Sequence, residues 1–142
     1  MSFLLDTQHI TVLQTKSQPA FSALDRRMNQ HPASAFYYCV VSLHEQSIGA
    51  HAYINQATKA AGVIRGYQML QRMLKSFCGA QLLAFDQGAA DQVDLIRSQG
   101  VSIRAMDLRI AAIALANNCT VLTKNFKDFK KVPRLTVEDW TI

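Results

Sequence analysis

Short apolar segments alternate with helical segments along this chain of 142 residues. Four segments are predicted strands, at 3–6, 36–41, 80–85 and 120–123, with a short fifth at 135–137. Between them, apolar residues recur at helical spacing, and Pro19 is placed to begin one of the helices. Strands that alternate with helices predict an α/β fold of three layers, α/β/α, with a mostly parallel central sheet of four to five strands. The length fits one domain over residues 1–142.

The composition is that of a globular chain, with 49% hydrophobic and 18% charged residues. No apolar run approaches the roughly 18 residues that a membrane helix needs, and the N-terminus lacks the basic start of a signal peptide. We therefore expect a cytoplasmic protein without membrane contact. The three cysteines are far apart, which favours reduced thiols in or near the core. The net charge of +5 modestly favours a polyanionic partner, although such an excess is also ordinary surface chemistry.

Acidic and amide side chains follow the predicted strands. Asp6 comes directly after the first strand, and Glu45 lies in the first turn of the helix after the second. Asp107 opens the helix before the fourth strand, and Asn125 and Asp128 come after that strand. Because ligands of such sheets bind beyond the carboxyl ends of the strands, we expect several of these side chains to converge. Clustered carboxylates suit Mg²⁺ or Mn²⁺, which can promote attack on a phosphodiester.

Each acid also has a purely structural interpretation. Asp6 is placed to cap the helix that follows it, and Glu45 completes a capping box with Ser42. Asp107 has the position that a helix dipole favours for an acid. Taken singly, these interpretations are at least as good as catalysis. Asp107 is the strongest candidate for a functional role, since apolar residues share its helical face and a buried acid needs a partner.

Four motifs in order resemble the PIN domain, and most closely the VapC toxins of bacterial toxin–antitoxin pairs. They read FLLDT at 3–7, VSLHE at 41–45, DLRIAA at 107–112 and LTKNFKDF at 122–129. The closing VEDW at 137–140 is similar to the C-terminus of that subgroup. The resemblance extends over essentially the whole chain and implies a PIN-like fold.

The resemblance also implies an activity and a set of site residues. Asp6, Glu45 and Asp107 match the three principal acids of the family, which implies that they are catalytic and bind the metal. Asn125 falls where many members have a fourth acid, and Asp128 matches the acid of a frequent Asp-Phe pair, so both join the catalytic set. The implied reaction is endonucleolytic hydrolysis of RNA that depends on Mg²⁺ or Mn²⁺ and leaves a 5′-phosphate and a 3′-hydroxyl. The implied partners are an RNA substrate, a cognate antitoxin protein and a second copy in a homodimer.

Two differences from the family leave an alternative open. Gln8 stands where the family usually has Asn, and Asn125 replaces an acid found in many members. A catalytically weakened module that binds RNA or protein on the same scaffold is therefore the rival hypothesis. A nuclease of the same fold that acts on DNA or in RNA processing is a third.

Two further patterns concern binding. Five basic residues near the fourth strand form either an RNA-backbone track or a solvated loop: Lys124, Lys127, Lys130, Lys131 and Arg134. Arg109, beside Asp107, is either a phosphate clamp or a partner in a nearby salt bridge. Four large side chains on the two middle helices fit either core packing or a groove for a partner: Tyr53, Tyr67, Met69 and Met73.

Overall fold

Five short parallel strands form the sheet of this protein, whose computed structural model describes residues 1–142. The strands are β1 (Phe3–Leu5), β2 (Phe36–Cys39), β3 (Gln81–Leu83), β4 (Thr120–Leu122) and β5 (Val137–Glu138). Their order across the sheet is β3-β2-β1-β4-β5, and every neighbouring pair is parallel. The predicted parallel sheet of four to five strands is confirmed.

Seven helices connect and cover these strands. They are α1 (Thr7–Thr15), α2 (Ala20–Met28), α3 (Val40–Gln56), α4 (Ala60–Cys78), α5 (Gln87–Ser98), α6 (Ala105–Ala116) and α7 (Phe126–Phe129). A short 3₁₀ turn, Ala33–Ala35, precedes β2. None of the seven has the length and apolar character needed to cross a membrane.

The central strand β1 contributes to two hydrophobic cores, one on each face of the sheet. Successive side chains of a strand point to opposite faces. Leu4 accordingly packs with α5 and α6 in one core, whereas Phe3 and Leu5 pack with residues of α1, α2 and α4 in the other. Cys39 and Cys119 are buried in the first core, and Cys78 is exposed. The three-layer α/β/α prediction is confirmed.

The predicted capping box of Ser42 and Glu45 is wrong. Strand β2 ends at Cys39, and α3 already begins at Val40, so Ser42 lies buried inside the helix. The local pattern did not decide the boundary, because the buried Ser42 side chain contacts Thr7 Oγ1, 35 positions away, and a local motif does not record such a contact. As a result, Ser42 and Glu45 are free to contact another helix.

The C-terminal segment is anchored by Trp140. Its buried ring lies 4.6 Å from the ring of Phe3 and 5.5 Å from that of His31, and the Arg27 guanidinium sits 4.7 Å above it. The Trp140 backbone N–H donates to His9 Nε2 over 3.2 Å. These contacts tie the end of the chain to β1 and α1, the elements on either side of Asp6.

Replacing Trp140 by alanine is expected to lower the free energy of unfolding by about 3–5 kcal/mol, since a large buried ring is lost and its neighbours cannot fill the gap. Urea denaturation followed by circular dichroism measures the change. Ile142→Ala is the control, because Ile142 is 91% exposed, and should shift the free energy by less than about 0.5 kcal/mol. Equal losses in the two variants would contradict the anchoring role.

Candidate active site

One polar pocket lies where β1 and β4 end, and it brings most of the predicted site residues together. Its volume is about 410 Å³, and no hydrophobic residue lines it. Four of the five predicted catalytic residues are in the lining, and Asp128 is not. The complete lining consists of Asp6, Thr7, Gln8, Glu45, Arg104, Asp107, Lys124 and Asn125.

The order of the strands places this pocket. The chain passes from β1 to β2 and β3 on one side, and then returns to the other side of β1 to form β4. The crevice beyond β1 and β4 is therefore the topological switch point of the sheet, where ligands of open α/β folds bind. Asp6 follows β1 and Asn125 follows β4, so both side chains lie at this crevice.

Asp6 is a buried acid of the pocket and also caps a helix. Its Oδ1 accepts from the Thr7 backbone N–H over 2.7 Å, which caps α1, and its Oδ2 accepts from Thr123 Oγ1 over 2.7 Å. Burial raises the pKa of Asp6 to about 6, and the nearby charges of Asp107 and Glu45 add to the rise. The two hydrogen bonds oppose it. Asp6 is thus an acid held in place with too little positive charge around it.

Glu45 reaches the pocket from α3. Thr7 Oγ1 donates to Glu45 Oε1 over 2.7 Å and also lies 3.1 Å from Ser42 Oγ. This arrangement ties the first turn of α1 to α3, which is possible because Ser42 is inside the helix rather than at its cap. Glu45 is therefore oriented by Thr7, the residue that follows Asp6.

Asp107 reaches the pocket from the first turn of α6. It is buried, which raises its pKa, whereas Arg104 opposes the rise. Asn125 Nδ2 donates to Asp107 Oδ2 and to Asp128 Oδ2, each over 3.1 Å. An amide suits this place, because it can donate to two carboxylates that a further acid would repel. Asp128 itself stands behind Asn125, and the hydrogen bonds from Asn125 and Lys131 lower its pKa.

Arg104 is the site residue that the sequence patterns did not single out. Its Nη2 lies 3.2 Å from Glu45 Oε2, and its Nε lies 3.4 Å from Asp107 Oδ2. Arg104 and Asp107 are three residues apart at the start of a helix, and this spacing is the one sequence signal for an ion pair between them. The contact with Glu45 joins residues 59 positions apart and has no local signal. Arg109, the predicted phosphate clamp, is exposed and does not line the pocket.

The donor chemistry of the pocket fits a hard divalent cation. Asp6, Glu45 and Asp107 offer carboxylate oxygens, the ligands that Mg²⁺ and Mn²⁺ prefer. Arg104 and Lys124 supply fewer positive charges than the three acids supply negative ones. In the structure, however, no three acids, histidines or cysteines form a group that could hold one ion. A cation would draw the carboxylates together.

Comparisons with known proteins agree with this fold. No family model matches the chain. A stretch of 45 residues is 42% identical to Ribonuclease VapC2 of Rickettsia felis, and the match covers 32% of this chain and about a third, 34%, of that relative's length.

Solved structures match over nearly the whole chain. VapBC from Salmonella typhimurium, bound to DNA, has a TM-score of 0.77 and 23% identity over 99% of this chain and 98% of the other. VapBC-1 from nontypeable Haemophilus influenzae has a TM-score of 0.76 and 22% identity over 100% of both chains.

These likenesses confirm the class of the fold, which is the PIN-like α/β/α domain. Within this class, the resemblance to VapC-type proteins that the four sequence motifs carried is also confirmed.

Replacing Asp6 by asparagine is expected to stabilise the metal-free protein at pH 8 by up to about 3 kcal/mol. The folded pKa, about 6, lies above the ordinary value of 3.8. The folded state therefore binds the proton more tightly, and wild-type stability falls as the pH rises from about 4 to about 6. The gain of Asp6→Asn should fade over the same range as the pH is lowered.

Urea unfolding in EDTA at pH 4 and pH 8 measures this difference. Asp25→Asn is the matched control, because Asp25 is an exposed acid outside the pocket, and its effect should stay below about 0.5 kcal/mol. If Asp6→Asn raised the free energy of unfolding equally at both pH values, burial would not be raising the pKa of Asp6.

Proposed function

We propose that this protein is an endoribonuclease that hydrolyses RNA phosphodiester bonds with Mg²⁺ or Mn²⁺, and that it is the toxin of a toxin–antitoxin pair. The observation that carries the proposal is the convergence of Asp6, Glu45 and Asp107 in one pocket without hydrophobic lining. The partial match to a relative named as a ribonuclease supports the same reaction class.

The chain's own residues have distinct parts in this reaction. A divalent ion held by Asp6, Glu45 and Asp107 would supply Lewis acidity at the phosphodiester and lower the pKa of water. Thr123 and Thr7 orient the carboxylate of Asp6. Asn125 orients Asp107, and Asp128 in turn orients Asn125 without reaching the pocket. Asp128 is therefore a positioning residue rather than a catalytic one.

The basic stretch near β4 is placed to bind the RNA backbone. All five of its members are exposed, and Lys124 lines the pocket itself. Lys131 is engaged with Asp128, its Nζ lying 3.3 Å from Asp128 Oδ1. Lysine and arginine side chains bind phosphates through charge and without reading sequence. Lys124 thus lies beside the acids, which favours the track over the solvated loop.

A protein partner is proposed for the exposed apolar face of α3 and α4. Ile48, Tyr67, Leu70 and Leu74 are exposed there, and a groove of about 600 Å³ runs between the two helices. Met73, by contrast, is buried in the core. Apolar patches of this kind mark protein interaction sites. Solved structures with the same fold include VapBC complexes, which belong to a family of toxin–antitoxin systems. We therefore assign the groove to the cognate antitoxin. We also expect a homodimer.

The rival hypothesis is a binding module without catalysis. It is favoured by the amide of Asn125 in place of an acid and by Arg104, which bridges two of the three carboxylates. In this hypothesis the guanidinium would be a permanent partner of the acids. An RNA-cleavage experiment with the purified protein separates the two hypotheses.

Asp107→Asn and Asp6→Asn are each expected to lower Mg²⁺-dependent RNA cleavage by about 100-fold or more, because each removes a charged ligand from the pocket. Cleavage of end-labelled single-stranded RNA by the purified full chain is the measurement, with circular dichroism to show that the fold is kept. Asp25→Asn should cleave as the wild type does. EDTA should stop cleavage, and excess Mg²⁺ or Mn²⁺ should restore it.

Three results would contradict the proposal in different ways. Equal cleavage by the wild type and both pocket variants would place the activity elsewhere. A wild type that binds RNA but never cleaves it would support the non-catalytic module. Preferential cleavage of DNA of the same sequence would support the third hypothesis, in which only the substrate differs.

A further inference from the structure

Arg104 occupies the position between two acids where positive charge is needed. Its Nη2 lies 3.2 Å from Glu45 Oε2 and 3.5 Å from Asp107 Oδ1, and its Nε lies 3.4 Å from Asp107 Oδ2. The residue precedes α6, and its guanidinium extends across the pocket to α3. The acids that come from two different helices are thus bridged by one side chain.

The three side chains of the bridge differ in their exposure to solvent. The Arg104 side chain is 67% exposed, whereas those of Glu45 and Asp107 are 19% and 4% exposed. Ion pairs with an exposed partner are screened by water and contribute little to stability. A flexible and solvated cation therefore covers carboxylates that are themselves fixed by Thr7 and Asn125.

The bridge and a divalent ion are mutually exclusive. Both need the same oxygens of Glu45 and Asp107, and like charges repel at this distance. In the structure, which contains the bridge, no three acids form a group that could hold one ion. Metal binding must therefore release Arg104, which remains at the mouth of the pocket. A guanidinium there is suited to binding a phosphate through two parallel hydrogen bonds.

We propose that Arg104 is an exchangeable counterion, which competes with the divalent ion for Glu45 and Asp107 and, once released, binds an RNA phosphate beside the scissile bond. The inference rests on the proposed metal-dependent nuclease function. It assigns one residue two opposite effects: Arg104 weakens metal binding and strengthens RNA binding. Replacing a merely structural residue would instead weaken both metal binding and RNA binding.

Titration calorimetry of the metal-free full chain with MnCl₂ tests the competition. Arg104→Gln is expected to lower the Mn²⁺ dissociation constant about fivefold, the ratio that corresponds to the loss of an exposed ion pair. Lys124→Gln is the matched control, since it removes a positive charge from the same lining but breaks no ion pair. It should change the constant less than about twofold.

Steady-state cleavage at saturating Mn²⁺ tests the phosphate contact. Arg104→Gln should raise KM for RNA about fivefold, the effect of one lost exposed charge pair, with kcat nearly unchanged. If Arg104→Gln has the same KM as the wild type, the proposed contact between Arg104 and an RNA phosphate is disproved.

The outcomes of the titration separate this inference from the proposed function. If the wild type and Arg104→Gln bind Mn²⁺ with equal affinity, competition is disproved while the metal site stands. The same holds if Lys124→Gln raises the Mn²⁺ affinity as much as Arg104→Gln does. If neither the wild type nor Arg104→Gln binds Mn²⁺, the proposed metal-dependent function is disproved. The proposed exchange of Arg104 for the divalent ion is then disproved as well.

Discussion

The burial of negative charge at the end of the central strand constrains the whole arrangement. Asp6 sits where β1 stops, largely shielded from water, and a carboxylate in such a place loses hydration that must be replaced. Hydrogen bonds from Thr7 and Thr123 replace part of it. Because Glu45 and Asp107 add their own charges nearby, the pKa of Asp6 remains raised. The pocket is therefore a place where a further positive charge is favourable, and this property underlies the proposed chemistry.

The fold produces this concentration of charge by bringing distant segments to one crevice. Strand β1 lies between β2 and β4, so the residues that follow these strands share an edge. Helix α3 contributes Glu45 and α6 contributes Asp107, while Asn125 comes from the turn after β4. Trp140 and His9 hold the C-terminal segment against α1, which keeps the helix capped by Asp6 in place. Rigid elements thus position the acids, whereas the Arg104 side chain at the rim is largely exposed.

The sequence predicted the fold and most of the pocket because both depend on local patterns. Apolar strands that alternate with helices define the sheet, and acids after parallel strands must share its edge. The capping box failed because Ser42 contacts Thr7 of another helix, and a short local motif does not record this contact. Arg104 was missed because its contact with Glu45 depends on how α3 and α6 meet, which no spacing records. The sequence order also could not show that Asp128 lies behind Asn125 rather than in the lining of the pocket.

The central claim is that Asp6, Glu45 and Asp107 together hold a divalent ion. The most direct measurement is a crystal of the full chain soaked in MnCl₂, with anomalous diffraction used to locate manganese. The account predicts one strong peak within bonding distance of carboxylate oxygens of Asp6, Glu45 and Asp107, with the Arg104 guanidinium moved away from both of its present partners. A fully soaked crystal with no peak in this pocket, and Arg104 still bridging Glu45 and Asp107, would contradict it.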